Sequence, residues 1–451
     1  MFAMLKRSIR IWYLVFSVLA AIAFLGMLSC QGIGAATPEN PVDAVALTVE
    51  YGAGVNQDAE ANSGTHVPIP DSATSTALHD QGADAVPFTS EYYAGLNERF
   101  GIGFATGITV TVNGAARPAL LTDYDVGLLH VGWYCDWWIR YEPPRPGGIK
   151  FAQLIQVRAT TYPTNTQYIP DAIAANPGAL WIVGNEPEAK YGQGKRTPAE
   201  YAEIYHDMYM LIKGLDPTAW VAIGGVVEPT PLRLRWLEMT LDEYQTRYGQ
   251  AMPVDVWNIH VQILQEVGGT PEDPDPPGAE IPVGLSDTQG ELYRWEDNAN
   301  PAIFQQLVTD FRQWMKDQGF QDKPLIISEY GVLYPSWLLT APGAEAQGDQ
   351  MVIDFMRQTF DFLVTARDTD LGYPADDRRL VQQWLWYSLN DEPFNDATGK
   401  GYNGGLFDDR DPARITKFGA AFRDYIHVLM GYPRVMLPGV IKRASLGGQL
   451  P

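Results

Sequence analysis

Two glutamates stand at the ends of apolar, β-rich runs and could do chemistry together. One run reads Ala179-Leu180-Trp181-Ile182-Val183-Gly184-Asn185-Glu186-Pro187-Glu188, and the other Pro324-Leu325-Ile326-Ile327-Ser328-Glu329-Tyr330-Gly331. An ionisable side chain that follows a buried strand stops where the hydrophobic layer ends, at the mouth of whatever the strands enclose. Two carboxyls facing one cleft are what glycoside hydrolysis uses: one protonates the leaving oxygen, the other meets the sugar carbon. A single carboxylate at a strand end is usually just solvated, so the weight lies on Glu186 and Glu329 as a pair. Glu188 and Glu228 also lie near strand ends, but neither completes a partner motif, and they read as loop charges.

The elements that would position the pair alternate between β-type and helical patterns. Gly101–Ala105, Gly127–Tyr134, Phe151–Val157, Leu180–Gly184, Trp220–Val226, Val254–Ile259, Leu325–Ser328 and Gln382–Tyr387 read as strands, eight in all. That rhythm predicts an α/β protein built as a (β/α)8 TIM barrel. A doubly wound sheet would alternate too, but no Gly-rich phosphate loop accompanies these strands. The clearest helix opens at Thr197-Pro198-Ala199-Glu200, a capping box with proline in the first turn, and Gly214 is its expected stop. Further helices are expected from Phe304 to Gly319 and from Met351 to about Ala366. Residues 261–301 form a long, proline-rich stretch that could wall a cleft or be a solvated insertion.

Strand parity sorts the remaining candidates. With Glu186 inward, Ile182 faces inward and Trp181 and Val183 outward; with Glu329 inward, Ile327 follows. Val256, Asn258 and His260 share a side, as do Trp384, Trp386 and Ser388. One inward set thus joins both glutamates, His260 and two indoles. Trp386 is the expected stacking platform, with Trp384 deeper, and Trp133 rather than Tyr134 is expected to line the cleft. His260 would orient Glu329 or touch a sugar hydroxyl.

Asn-Glu-Pro after the fourth strand, Ser-Glu-Tyr-Gly after the seventh, a histidine after the sixth and a Trp-rich eighth strand resemble the clan A retaining glycoside hydrolases. Within that clan, His130-Val131-Gly132-Trp133-Tyr134-Cys135-Asp136-Trp137 followed by Gly184-Asn185-Glu186-Pro187-Glu188 is similar to the catalytic-core group that includes endo-β-1,3-glucanases. The similarity runs as ordered islands from Leu96 to Tyr425, and Asp136 stands where that group often has asparagine. The resemblance implies Glu186 as general acid/base, Glu329 as nucleophile and Asn185 on the sugar 2-hydroxyl. It implies retention by double displacement and no cofactor. An endo-acting glucanase is the first expectation for substrate. A barrel that only binds polysaccharide, or an envelope transglycosylase, would share the same residues.

Composition narrows the partners. The chain has 451 residues and a formal charge of −22, which repels phosphate backbones and argues against nucleic acid. Its 13 Trp and 23 Tyr suit sugar faces, although filling a large core is the more ordinary use. Six histidines without a His-x-x-x-His pair and only two cysteines, Cys30 and Cys135, point to no metal site and no disulfide scaffold. Lys6, Arg7 and Arg10 precede the apolar run Ile11–Leu28, the pattern of an export signal or anchor. Met27-Leu28-Ser29-Cys30 resembles a lipobox, and Gly34-Ala35-Ala36 offers a signal-peptidase site. The expected organisation is a signal, lipoprotein signal or anchor (1–36), a low-complexity lead-in (37–95), the catalytic barrel (96–430) and a tail (431–451). The protein would be extracellular or held at the cell surface, monomeric, and in contact with membrane only through the N-terminal segment or a lipid on Cys30.

Overall fold

The computed structural model describes residues 93–190, 193–270, 277–340, 343–395 and 401–431. The export segment, Cys30, most of the lead-in, the prolines at 271–276 and the C-terminal tail lie outside the described residues.

The architecture is parallel α/β. Strands β1 (Phe100–Gly103), β2 (Trp133–Cys135), β3 (Lys150–Phe151), β4 (Gln153–Ile155), β5 (Leu180–Asn185), β6 (Trp220–Gly225), β7 (Trp257–Val261), β8 (Leu325–Tyr330) and β9 (Gln383–Trp386) carry it. One sheet has the order β3-β2-β1-β9-β8-β7, and a second the order β4-β5-β6. Only Ala152 separates β3 from β4. Parallel bridges at Ala222–Val256 and Val226–Ile259 link β6 to β7, with the His260 amide donating to the Val226 carbonyl at 2.9 Å. An antiparallel hairpin, Thr109–Val112 with Ala115–Pro118, is inserted after β1.

Each run expected to be a strand contains one. The second is shorter than expected because Val126–Leu129 coils into a 3-10 turn that closes at His130, whose φ of 51° cannot continue a strand. The helices are α1 (Ile169–Ala175), α2 (Pro198–Leu215), α3 (Pro231–Tyr248), α4 (Pro301–Asp317), α5 (Glu345–Thr365) and α6 (Lys417–Leu429). At the start of α2, Thr197 Oγ1 accepts from the Glu200 amide and Glu200 Oε2 accepts from the Thr197 amide at 2.9 Å. Gly214 lies inside the last turn; the helix stops one residue past Leu215, at extended Asp216.

Alternate strand residues feed two apolar cores, as a pleat with both faces covered requires. Trp181, Val183, Ile223, Ile259 and Trp384 meet the helices through Tyr201, Trp236, Phe304 and Phe360. Leu154, Ile182, Ala222, Val256, Ile326 and Leu385 form the other core with Trp133. Two expectations of parity fail here. Ile327 packs on the helix side although Glu329 does not, because β8 bulges. Ile327 pairs with Ile259 and Glu329 with His260, leaving Ser328 as the extra residue. Trp386 is also on the helix side, so it is not a platform beneath a sugar. Its ring lies 5.5 Å from that of Tyr330 and 6.2 Å from that of Phe360, and its indole N–H donates to the Gly404 carbonyl at 3.0 Å.

Trp386→Ala is therefore expected to cost about 3–5 kcal/mol of unfolding free energy, the usual range for emptying a large buried aromatic site. Urea denaturation monitored by circular dichroism measures it, and a loss below about 1 kcal/mol would contradict the placement.

Candidate active site

β5 ends at Asn185, and Glu186 breaks from the strand with φ 42° in the left-handed region. The break is held from both sides. The Glu186 amide donates to the Gly225 carbonyl at 3.0 Å, and its own carbonyl accepts from the Ala189 and Gly194 amides at 3.1 and 3.2 Å. The bulge at Ser328 turns Glu329 toward the same place. One carboxylate oxygen of Glu186, one of Glu329 and a ring nitrogen of His260 all lie within 4.8 Å of one another.

His260 joins Glu186 to the bulge residue before Glu329. Its Nδ1 is 3.0 Å from Glu186 Oε1, and its Nε2 is 3.1 Å from Ser328 Oγ. The imidazole fits only because Gly225 has no side chain: a Cβ there would fall 2.5 Å from His260 Cδ2. Glu329 accepts from two N–H donors, Trp137 Nε1 at 3.1 Å and Gln262 Nε2 at 2.9 Å. Trp137 in turn lies 5.6 Å, ring to ring, from Tyr387, whose hydroxyl donates to Asp391. Asn185 donates to Gln193 at 2.9 Å, while Asn185 Oδ1 and Gln262 Oε1 are buried with no hydrogen-bond partner in the protein. Such acceptors are what hydroxyl donors of a ligand would satisfy.

Burial raises the pKa of Glu329, His260 pulls it down and Glu186 pushes it up, leaving it at about 7. For His260, burial pulls downward, but Glu329 and Glu186 outweigh it and the net direction is up. Two carboxyls this close cannot both ionise cheaply, which is why Glu186 acts upward on Glu329, while the N–H of Trp137 favours the ionised form of Glu329.

Glu186, Glu329, Asn185 and His260 are thus brought together, as expected from sequence. Trp133 is not. It faces the enclosed core, but it pairs with Gly101 at the start of β1 and its indole N–H donates to the Arg99 carbonyl at 3.3 Å. That is the end of the strands opposite the carboxylates. Trp137 takes the expected place, and it shares the parity of Trp133, so the sequence held the signal. Gln262 shares the parity of His260 and was equally readable. Tyr387 was hidden by the reversed parity assumed for the eighth strand. Asp136 bonds Arg140 Nε at 2.7 Å and the Trp138 amide at 3.2 Å.

Glu188 and Glu228 are not solvated loop charges. Both are fully buried. Glu188 Oε1 accepts from Arg233 Nε at 2.9 Å and the Val227 amide at 2.8 Å; Glu228 Oε2 accepts from the Leu264 amide at 2.9 Å. Arg233 also pairs with Glu266. Burial pushes Glu188 up to about 7 and Glu228 up to about 8, against the pull of Arg233.

No family model matches the chain, and no curated protein matches its sequence. Solved structures do. A GH128 (subgroup II) endo-β-1,3-glucanase from Sorangium cellulosum is similar at 15% identity and TM-score 0.42, over 72% of this chain and 98% of that one. A GH128 (subgroup IV) endo-β-1,3-glucanase from Lentinula edodes is 15% identical at TM-score 0.39, over 66% and 94%. A monomeric β-xylosidase from Caulobacter crescentus is 15% identical at TM-score 0.39, over 71% and 59%. These neighbours are of the kind the sequence resembles. Likeness at this level assigns no residue a role.

Among the described residues, Glu186, His260 and Glu329 are also the one group that could converge on a metal ion. A cation there would compete with the His260–Glu186 contact and with the N–H donors on Glu329.

The raised acids set a pH dependence. Glu188 and Glu228 keep their protons when folded up to about pH 7–8, whereas unfolded glutamates lose them near 4.5. Between those limits the native state binds more protons, so the stabilisation present at low pH is lost as pH rises. The melting temperature is expected to fall from pH 5 to pH 8, and Glu228→Gln should flatten the slope. A melting temperature that rises across this window, or a slope unchanged by Glu228→Gln, would contradict the assignment.

Proposed function

We propose that the chain is an exported (β/α)8 glycoside hydrolase that cleaves β-linked glycans by double displacement with retention. The observation that carries this reading is the approach of a carboxylate oxygen of Glu186 to one of Glu329 within 4.8 Å, with His260 hydrogen-bonded to Glu186. Retaining enzymes hold their carboxyls about 5–5.5 Å apart, whereas inverting enzymes leave room for a water between them. The strand pairings support ring closure: the two sheets are joined across Ala152 at one edge and by the β6–β7 bridges at the other. Glu186 follows the carboxyl-terminal end of β5 and Glu329 is the last residue but one of β8, at the strand ends where such barrels hold their chemistry.

In this reading Glu186 donates a proton to the leaving oxygen while Glu329 attacks the anomeric carbon. Trp137 and Gln262 hold the nucleophile by one hydrogen bond to each oxygen and fix its direction of attack. Esterification of Glu329 removes its charge from the cluster, which eases ionisation of Glu186 and lets it take a proton from water. His260 moves with that change, its Nδ1 serving as donor or acceptor toward Glu186. Asn185 Oδ1, unpartnered beside the acid, accepts from the sugar 2-hydroxyl. An endo-acting β-glucanase is the substrate reading preferred.

The test is reducing-sugar release from laminarin, other β-glucans, xylan and mannan by wild type, Glu186→Gln and Glu329→Gln. Wild type should cleave at least one glycan, each variant should fall roughly 10³-fold or more, and NMR of the first product should show the β-anomer. Equal release by all three proteins, or the α-anomer, would overturn the reading.

A further inference from the structure

Arg158 is an arginine without a partner beside the proposed acid. It follows β4 at the carboxyl-terminal end of the strand and is partly buried. Among the described residues its guanidinium makes no ion pair and no hydrogen bond, and its Nε is fully buried and unsatisfied. The chain has 54 acidic against 32 basic residues, so carboxylate partners are not scarce. Leaving a half-buried guanidinium unpaired is costly, because its five donors are matched elsewhere by carboxylates or carbonyls. Burial lowers its pKa and Glu186 raises it, so the acid is the charge it feels; arginine stays ionised regardless.

The surroundings add to the charge. The loop after Glu186 folds back on itself: the Arg196 amide donates to the Pro187 carbonyl at 2.8 Å and the Gly194 amide to the Glu186 carbonyl at 3.2 Å. Arg196 Nε then donates to the Val157 carbonyl at 2.8 Å, next to Arg158. Ile155 of β4 pairs with Val183 of β5, so Arg158 and Glu186, each three residues further on, leave neighbouring strands side by side. Glu186 is the group that would protonate the leaving oxygen, so Arg158 lies toward the sugar that departs.

We infer that the glycan cut here carries an anionic group, a uronate carboxylate or a sulfate ester, on the leaving-group side of the scissile bond, and that Arg158 binds it. The inference rests on the glycoside-cleaving reading of Glu186 and Glu329. A planar guanidinium takes either anion through paired N–H···O bonds.

The test uses matched ligands: a β-glucan oligosaccharide, the same oligosaccharide with its C6 hydroxyls oxidised to carboxylates, and its sulfated form. Affinity is measured by calorimetry on the Glu329→Gln protein, with and without Arg158→Gln or Arg158→Lys. Hydrolysis is measured on the proteins with Glu329 intact. At least one anionic ligand should bind roughly tenfold more tightly than the neutral one, the worth of a charge-assisted pair. Arg158→Gln should abolish that ratio, Arg158→Lys should restore part of it, and added salt should weaken it. The carboxylate and sulfate arms tell which anion is preferred. Equal affinity for all three ligands, or a ratio untouched by Arg158→Gln in a protein that melts normally, would overturn the inference. Arg158-dependent binding without hydrolysis by wild type would support it while defeating the hydrolase reading.

Discussion

Two acids and an imidazole, buried within 4.8 Å of one another, impose a constraint that the surrounding structure is arranged to meet. In a low-dielectric site, neighbouring carboxylates repel strongly unless a proton or a set of donors intervenes. Each local irregularity nearby serves that need. Glu186 leaves its strand in the left-handed region, Ser328 bulges so that Glu329 turns inward, and Gly225 gives up its side chain to admit His260. The donors Trp137 and Gln262 then supply what solvent would otherwise give to Glu329.

The acidity extends behind the site. Arg233, in the first turn of α3, bonds Glu188 after β5 and Glu266 after β7, while Glu188 also holds the Val227 amide after β6. Loops from three successive strands are thereby tied to one guanidinium. A buried cation with several carboxylates adds little net stability, since desolvation offsets attraction. Its effect is positional: the turn that carries Glu186 is anchored two residues later by Glu188. Arg158 presents the opposite case, a cation near the same acid with no carboxylate of its own.

Much of this was readable in the residues. Apolar β-type runs located the parallel strands, because strands covered on both faces write their burial into the sequence; the exposed hairpin at Thr109–Pro118 was not read. The capping box at Thr197 located the start of α2 to the residue. That Glu186, Glu329 and His260 come together was readable from their position at strand ends. Parity failed where the backbone departs from a regular pleat. The bulge at Ser328 moved Ile327 outward, and Trp386 turned to the helices, where Tyr330 and Phe360 cover it. Period-2 reasoning carries no information about an inserted residue. Nor does a single sequence reveal that Glu188 and Glu228 are buried, since their partners, Arg233 on α3 for Glu188 and the Leu264 amide for Glu228, are brought to them only by the fold.

The central claim is that Glu186 and Glu329 feel each other's charge across one opening. Carbon-13 NMR of the glutamate side-chain carboxyls, titrated in wild type and in Glu186→Gln, reads this directly. Glu329 should titrate near 7 in wild type, and its pKa should drop when the neighbouring charge is removed. A Glu329 resonance that titrates in the ordinary carboxylate range, or one indifferent to Glu186→Gln, would contradict the account.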